Sequence, residues 1–277
     1  MNWNTENRNP VRPGRRRERR GKQAQHWLRA GILLLLLMFV VSGTALGLQW
    51  SRYRQSEQLY QDLRAQSRDT ASAIPGENMG GNRASQKDFS SLQAGSPDTV
   101  AWITGEDTPI DYPVMHTDNN EYYLSHLYSG EENRYGALFV DCRNTGLFTD
   151  PNTVIYGHNM KNGSIFGTLD SYKKADYWKE HPIVRFYVDG EPRTYEVFAV
   201  VETQVLYEDE DGFRYYRYDG DIPEEEYDEL VTWLRGHSDY DTEIVPEYED
   251  QILMLSTCSY HTKNGRFVVA ARRVAEP

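Results

Sequence analysis

Apolar positions fall into three kinds of pattern along the chain. From Ala30 to Leu48 the sequence AGILLLLLMFVVSGTALGL runs nineteen residues without a charge. As a helix rising about 1.5 Å per residue it spans roughly 28 Å, close to the hydrocarbon thickness of a bilayer. Trp27 and Trp50 flank it, as aromatic residues do at membrane interfaces. The run is longer than a secretory h-region, and Thr44-Ala45-Leu46 is a poor cleavage site, so the pattern predicts an uncleaved anchor over 30–49.

From about Asp88 the pattern changes to short runs rich in Val, Ile, Tyr and Phe, separated by turn residues. Eight such runs predict strands: 100–105, 109–115, 136–141, 153–157, 183–190, 193–203, 251–258 and 266–274. Asp189-Gly190 between two of them is a hairpin signal. The third pattern is helical. In 223–235, Tyr227, Leu230, Val231 and Leu234 recur at i, i+3, i+4 and i+7 behind Pro223 and three glutamates. Residues 51–66 read as a mostly polar helix leaving the membrane, and shorter helices are predicted at 119–127 and 164–180. Residues 67–87, rich in Ser, Asn, Gly and Gln, read as a linker. Eight strands with few helices favour one closed or nearly closed β-barrel.

Charge sharpens this picture. The chain of 277 residues carries a formal −12, yet residues 1–29 hold nine basic and two acidic side chains, a net +7 that leaves −19 on the remainder. The positive-inside rule puts that head in the cytoplasm and the acidic body outside. An acidic body argues against nucleic acid as a partner, because phosphate contacts need a basic surface. The predicted organisation is a basic tail over 1–29, the anchor over 30–49, a helical stalk and linker over 50–87, and an extracellular domain over 88–277. Two cysteines exclude a disulfide-stapled scaffold and a cysteine-based zinc site.

Cys258 ends the apolar run Ile252-Leu253-Met254-Leu255 and its Ser256-Thr257 extension. A small reactive side chain at a strand end is rigidly placed yet close to the surface, as covalent catalysis requires. A thiol must ionise to attack. His158 follows the strand Thr153-Val154-Ile155-Tyr156 and Gly157, and His261, three residues after Cys258, competes for the same role. Arg266 opens the strand after Cys258; hairpin pairing would return it to the level of the thiol, where a guanidinium can stabilise an oxyanion.

These residues resemble a known family, the class B sortases, membrane-anchored cysteine transpeptidases of Gram-positive bacteria. Leu255-Ser256-Thr257-Cys258 is similar to the family's T-L-x-T-C strand end, with Met254 where the first Thr usually stands. Tyr156-Gly157-His158-Asn159-Met160 resembles the segment around the catalytic His, and Gly265-Arg266-Phe267-Val268-Val269 the strand with the essential Arg. Ile110-Asp111-Tyr112-Pro113-Val114, Tyr122-Tyr123-Leu124 and Gly136-Ala137-Leu138-Phe139-Val140-Asp141 add to the likeness, as does the 223–235 helix before the Cys strand.

The resemblance implies a closed eight-stranded sortase barrel with a few peripheral helices behind a transmembrane helix. It implies Cys258 as nucleophile, His158 as acid–base and Arg266 as either oxyanion donor or holder of the substrate's backbone carbonyls. Ser256 and Thr257 would line the substrate groove. The implied reaction cuts a C-terminal sorting motif of a secreted protein after Thr and passes the acyl group to a peptidoglycan amine. No cofactor or metal is needed, and the acidic stretch Glu208-Asp209-Glu210-Asp211-Gly212 lacks EF-hand spacing. Cys142, where relatives more often carry Tyr or Ser, is expected to be free and not catalytic. The alternatives are a pilin-polymerising sortase, and a membrane-anchored surface binding module without catalysis. Papain-like wall hydrolases place Cys before His, the reverse of His158 and Cys258.

Overall fold

The computed structural model describes residues 15–70, 86–146, 148–218, 222–259, 262 and 264–275. Helix α1 runs Arg15–Gln66. Two short strands, β1 (Arg68–Thr70) and β2 (Gln86–Asp88), pair antiparallel. The rest of the linker expected over 67–87, together with the first half of the basic tail, lies outside the described residues. Helix α2 (Ser90–Gly95) leads into the barrel strands. These are β3 (Thr99–Gly105), β4 (Asp111–Met115), β5 (Leu138–Val140), β6 (Asn152–Gly157), β7 (Ile183–Val188), β8 (Glu191–Gln204), β9 (Ile252–Cys258) and β10 (Gly265–Val274). Helix α3 (Ala175–Glu180) precedes β7, and α4 (Glu224–Gly236) lies between β8 and β9.

Among the described residues the eight strands close in the order β10-β8-β7-β3-β4-β5-β6-β9, and β9 pairs back onto β10. All eight predicted runs are strands of this barrel. Pairs β4–β5 and β6–β9 are parallel and the others antiparallel. The β7–β8 hairpin turns on Asp189 (φ 51°) and Gly190 (φ 82°), the two left-handed residues that a type I′ turn demands.

Strand β9 is apolar on both faces because both are covered. Ile252 and Met254, with Val268 and Ala270 of β10, share an apolar cluster with Tyr227, Leu230, Val231 and Leu234 of α4. Leu253 and Leu255 alternate to the other face and are equally buried. Ser256 and Cys258 continue the series facing the α4 cluster.

Two expectations change in detail. The helix at 119–127 reduces to a 3-10 turn, Tyr122–Leu124, and 164–180 divides into a 3-10 segment, Gly167–Lys173, and α3. Gln55–Pro277 forms one compact unit, which takes in the end of α1 together with the domain expected over 88–277. Composition marks the linker, but Tyr60 and Leu63, at 1% and 3% exposure, bury the last turns of α1 within that unit. The preceding part of α1 exposes its apolar residues, Leu33 to Val41 among them. It is the one helix among the described residues long and apolar enough to cross a membrane.

Candidate active site

Register brings three chain segments to one place. Cys258 ends β9, and its partner across the β9–β10 ladder is Arg266. Directly opposed residues of an antiparallel pair project to the same face. On the other side of β9, Gly157 pairs with Thr257 in parallel, which brings His158, the next residue, level with Cys258. Cys258, His158 and Arg266 all line one cavity of about 470 Å³. Its walls include Tyr156, Tyr215, Tyr216 and Leu124. The competing His261 lies outside the described residues.

Each strand end is tied down. Thr257 Oγ1 donates to the Gly157 carbonyl at 2.7 Å, and Asn159 Nδ2 donates to the Cys258 carbonyl at 3.0 Å. The same amide nitrogen donates to Asp170 Oδ2 at 3.0 Å. Ser259 N reaches Gly265 O at 2.9 Å, closing the β9–β10 turn. Arg266 Nη1 donates to Gly265 O at 3.0 Å, using one of the five donors a guanidinium carries.

His158 Nε2 lies 2.7 Å from the Leu124 carbonyl oxygen. A carbonyl only accepts, so Nε2 carries a proton, and Nδ1 is the nitrogen left to exchange one. The ring rests against Gly136, where an added Cβ would come within 3.1 Å of His158 Cδ2.

Ser256 and Thr257 also line the cavity, but their hydroxyls are engaged. Thr257 holds Gly157, and Ser256 Oγ lies 2.8 Å from Tyr215 Oη. Burial pushes the Tyr215 phenol up to about 12, an effect partly offset by the Ser256 hydrogen bond and the Arg266 charge.

A second network supports the wall. Asp141 is fully buried and accepts from Arg143 Nε and Nη2 at 2.9 and 2.6 Å, and from Tyr156 Oη at 2.8 Å. Arg143 Nη2 also donates to the Tyr216 carbonyl. Burial opposes the Asp141 charge, but these donors outweigh it and hold the carboxyl below its usual value. Both cysteines are free. Burial pushes the Cys142 thiol up, and the Asp141 charge adds to the effect.

Sequence reasoning missed Tyr215, Asn159 and the Asp141–Arg143 bracket. Adjacency to His158 was a signal for Asn159. Tyr215 sits in an aperiodic stretch, Arg214-Tyr215-Tyr216-Arg217, that carries none.

Comparison with known proteins bears on the family and the fold. A family model described as Sortase domain matches residues 103–274. Sortase B of Listeria monocytogenes is 32% identical over 248 residues, covering 88% of this chain and 95% of that protein. Sortase B of Staphylococcus aureus is 28% identical over 188 residues, covering 66% and 73%. The crystal structure of Bacillus anthracis sortase B superposes with a TM-score of 0.64 at 29% identity, over 81% of this chain and 99% of that one. A Staphylococcus aureus sortase B–substrate complex gives 0.61 at 27% identity, over 68% and 85%.

Proposed function

The chain belongs to the sortase family, as a class B member, and from that premise we propose that Cys258, His158 and Arg266 carry its reaction. It is a cysteine transpeptidase that anchors proteins to the cell wall: it cleaves a sorting motif after Thr through a thioester and hands the acyl group to a peptidoglycan amine. In our assignment the Cys258 thiolate attacks the Thr carbonyl, and Arg266 supplies its guanidinium to the developing oxyanion or to the motif's carbonyls. The peptide C–N bond breaks as the C–S bond forms, and the leaving amine takes the proton from His158 Nδ1. An incoming amine then attacks the thioester, returns its proton to Nδ1 and releases the thiolate. Ser256 lines the groove beside the thiol. Thr257 supports it from beneath through Gly157.

The single observation that carries this assignment is the register, Arg266 opposite Cys258 and Gly157 opposite Thr257. The +7 head before the apolar helix supports an N-terminus in the cytoplasm and a barrel outside. There the partners are secreted proteins with a C-terminal sorting motif and a wall amine, with the membrane engaged through 30–49. Wall anchoring is favoured over pilin polymerisation, because the relatives from Listeria monocytogenes and Staphylococcus aureus are sortase B proteins. A binding module without catalysis has no use for a cysteine, an imidazole and a guanidinium on one cavity.

The test is acylation. The protein mixed with a peptide library carrying Thr-Gly or Thr-Asn sites should form a Cys258 thioester visible by mass spectrometry. Cys258→Ala should abolish it and Cys142→Ala should keep it. Cleavage by Cys258→Ala at the wild-type rate would end the assignment. An inactive His261→Ala beside an active His158→Ala would transfer the acid–base role to His261.

A further inference from the structure

The seat of the His158 ring has three layers. In front is the Leu124 carbonyl that accepts from Nε2 at 2.7 Å. Beneath the ring is Gly136, at φ 62°, where a Cβ would stand 2.5 Å from Tyr123 O, 3.1 Å from His158 Cδ2 and 3.2 Å from Leu124 O. The residue after it, Ala137, donates to Tyr123 O at 3.0 Å, so Gly136 and the Tyr122–Leu124 turn are held as one piece. Behind them lies α1. Tyr60 Oη donates to the Gly136 carbonyl at 2.8 Å across 76 residues of sequence.

Tyr60 is itself immobilised. Its ring meets Tyr112 edge-on at 5.2 Å and stacks with Tyr135 at 6.4 Å. One turn further along α1, Arg64 Nε donates to Asp111 O at 2.8 Å, and its guanidinium lies over the Tyr112 ring. Burial pushes the Tyr60 phenol far above its usual value, so it remains a donor throughout the working range of pH. A buried donor aimed at the carbonyl of the glycine under an imidazole fixes more than the helix.

We infer that Tyr60, on α1 about three turns beyond the membrane-spanning stretch, is a positioning residue for the transpeptidation, holding Gly136 and through it the Leu124 carbonyl and the His158 ring. The helix that anchors the enzyme thereby contributes to the alignment of its acid–base group. The inference rests on the assignment of His158 given above. A displacement of this seat by a fraction of an ångström leaves the peptide groove unchanged and degrades proton transfer.

The experiment uses the full chain in detergent micelles with 15N-labelled histidine, His158 being assigned through His158→Gln. Turnover is followed on the best-acylated peptide of the Thr-Gly and Thr-Asn library. Tyr60→Phe keeps the ring and removes only the donor. It should lower kcat about three- to tenfold at unchanged KM and shift or broaden the His158 ring nitrogens. Leu63→Ala loosens the same buried turn of helix without removing the donor to Gly136; it should leave kcat within about twofold and the ring signals in place. Wild-type kcat and ring signals in Tyr60→Phe would overturn the inference. So would an equal fall in kcat in both variants with the His158 signals unmoved, which is general loosening of the helix. If the wild type does not cleave peptide, the assignment of the reaction fails, while the ring signals of Tyr60→Phe still decide whether Tyr60 seats His158.

Discussion

Asp141 shows how a single side chain sets the cavity wall. Its carboxylate is fully buried, and burial alone would disfavour the charge. Arg143 and Tyr156 reverse that and lower its pKa in the folded protein. The unfolded chain therefore takes up the proton more readily. The stabilisation is complete above about pH 4, the unfolded value, and is lost as pH falls through the lower folded value. Asp141→Asn should cost about 2–3 kcal/mol at neutral pH, the worth of hydrogen bonds to a charged group, and should flatten the acid limb of stability. Urea unfolding of both proteins between about pH 3 and 7 measures this, and parallel curves would contradict it. The neighbouring Cys142 feels the same carboxylate. Burial and the Asp141 charge both raise its thiol, so iodoacetamide should label it at neutral pH more slowly than an ordinary thiol of pKa about 8.5. The labelling rate should climb as pH rises. Peptide mass mapping reads it separately from Cys258, and fast labelling at neutral pH would contradict the burial argument.

At the scale of elements, the site depends on how strands end. Gly157 closes β6 immediately before His158, and an added Cβ would lie 2.3 Å from Leu138 Cδ2 and 2.7 Å from Phe166 Cδ2. Gly157→Ala should therefore destabilise the fold by about 1–3 kcal/mol through overpacking, and lower kcat by tilting the His158 backbone. Thermal unfolding and turnover should fall together; a variant with wild-type values of both would contradict this. These strand ends were legible in the sequence for a physical reason. Strands β9 and β10 are buried on both faces, so each appears as a short, nearly unbroken apolar run, and α4 buries one face, so it shows a helical period. The rest was hidden because its order comes from side chains. The turn at Tyr122–Leu124 is set by Asn119 Oδ1, which accepts from the backbone of Glu121 and Tyr122 at 3.0 and 2.8 Å. Stopping the helix there leaves the Leu124 carbonyl available to His158. Propensity over 119–127 could suggest a helix but not that interruption. Tyr215 is likewise ordered from a distance, by the α4 cluster it packs in and by a hydroxyl contact to Ser256, 41 residues away.

For the whole molecule, the question is where the anchor ends and the enzyme begins. Composition places the boundary near 88, after a segment rich in Gly and Ser. Packing places it at Gln55, because Tyr60 and Leu63 enter the core and Arg64 pairs with the carbonyl of Asp111. The lysine after the linker reinforces this: Lys87 Nζ binds Asp111 Oδ1 at 2.8 Å, and Trp102 Nε1 donates to the same oxygen at 2.6 Å. Asp111 thus joins α1, β2 and the barrel. A soluble fragment of 55–277 retains these contacts, whereas one of 88–277 loses the helix and uncovers the Tyr112 and Tyr135 rings. Burying one large apolar side chain is worth about 1.5–3 kcal/mol, so losing Tyr60 and Leu63 together should remove about 3–6 kcal/mol. For a domain of this size that is a fall in Tm of roughly 6–24 °C. Scanning calorimetry on the two fragments decides the boundary. Equal Tm values would mean that α1 beyond Arg54 is only a spacer between membrane and barrel. The expected gap would mean that part of the catalytic fold lies on the membrane side of the linker, so that barrel and anchor cannot be separated at the linker without loss of stability.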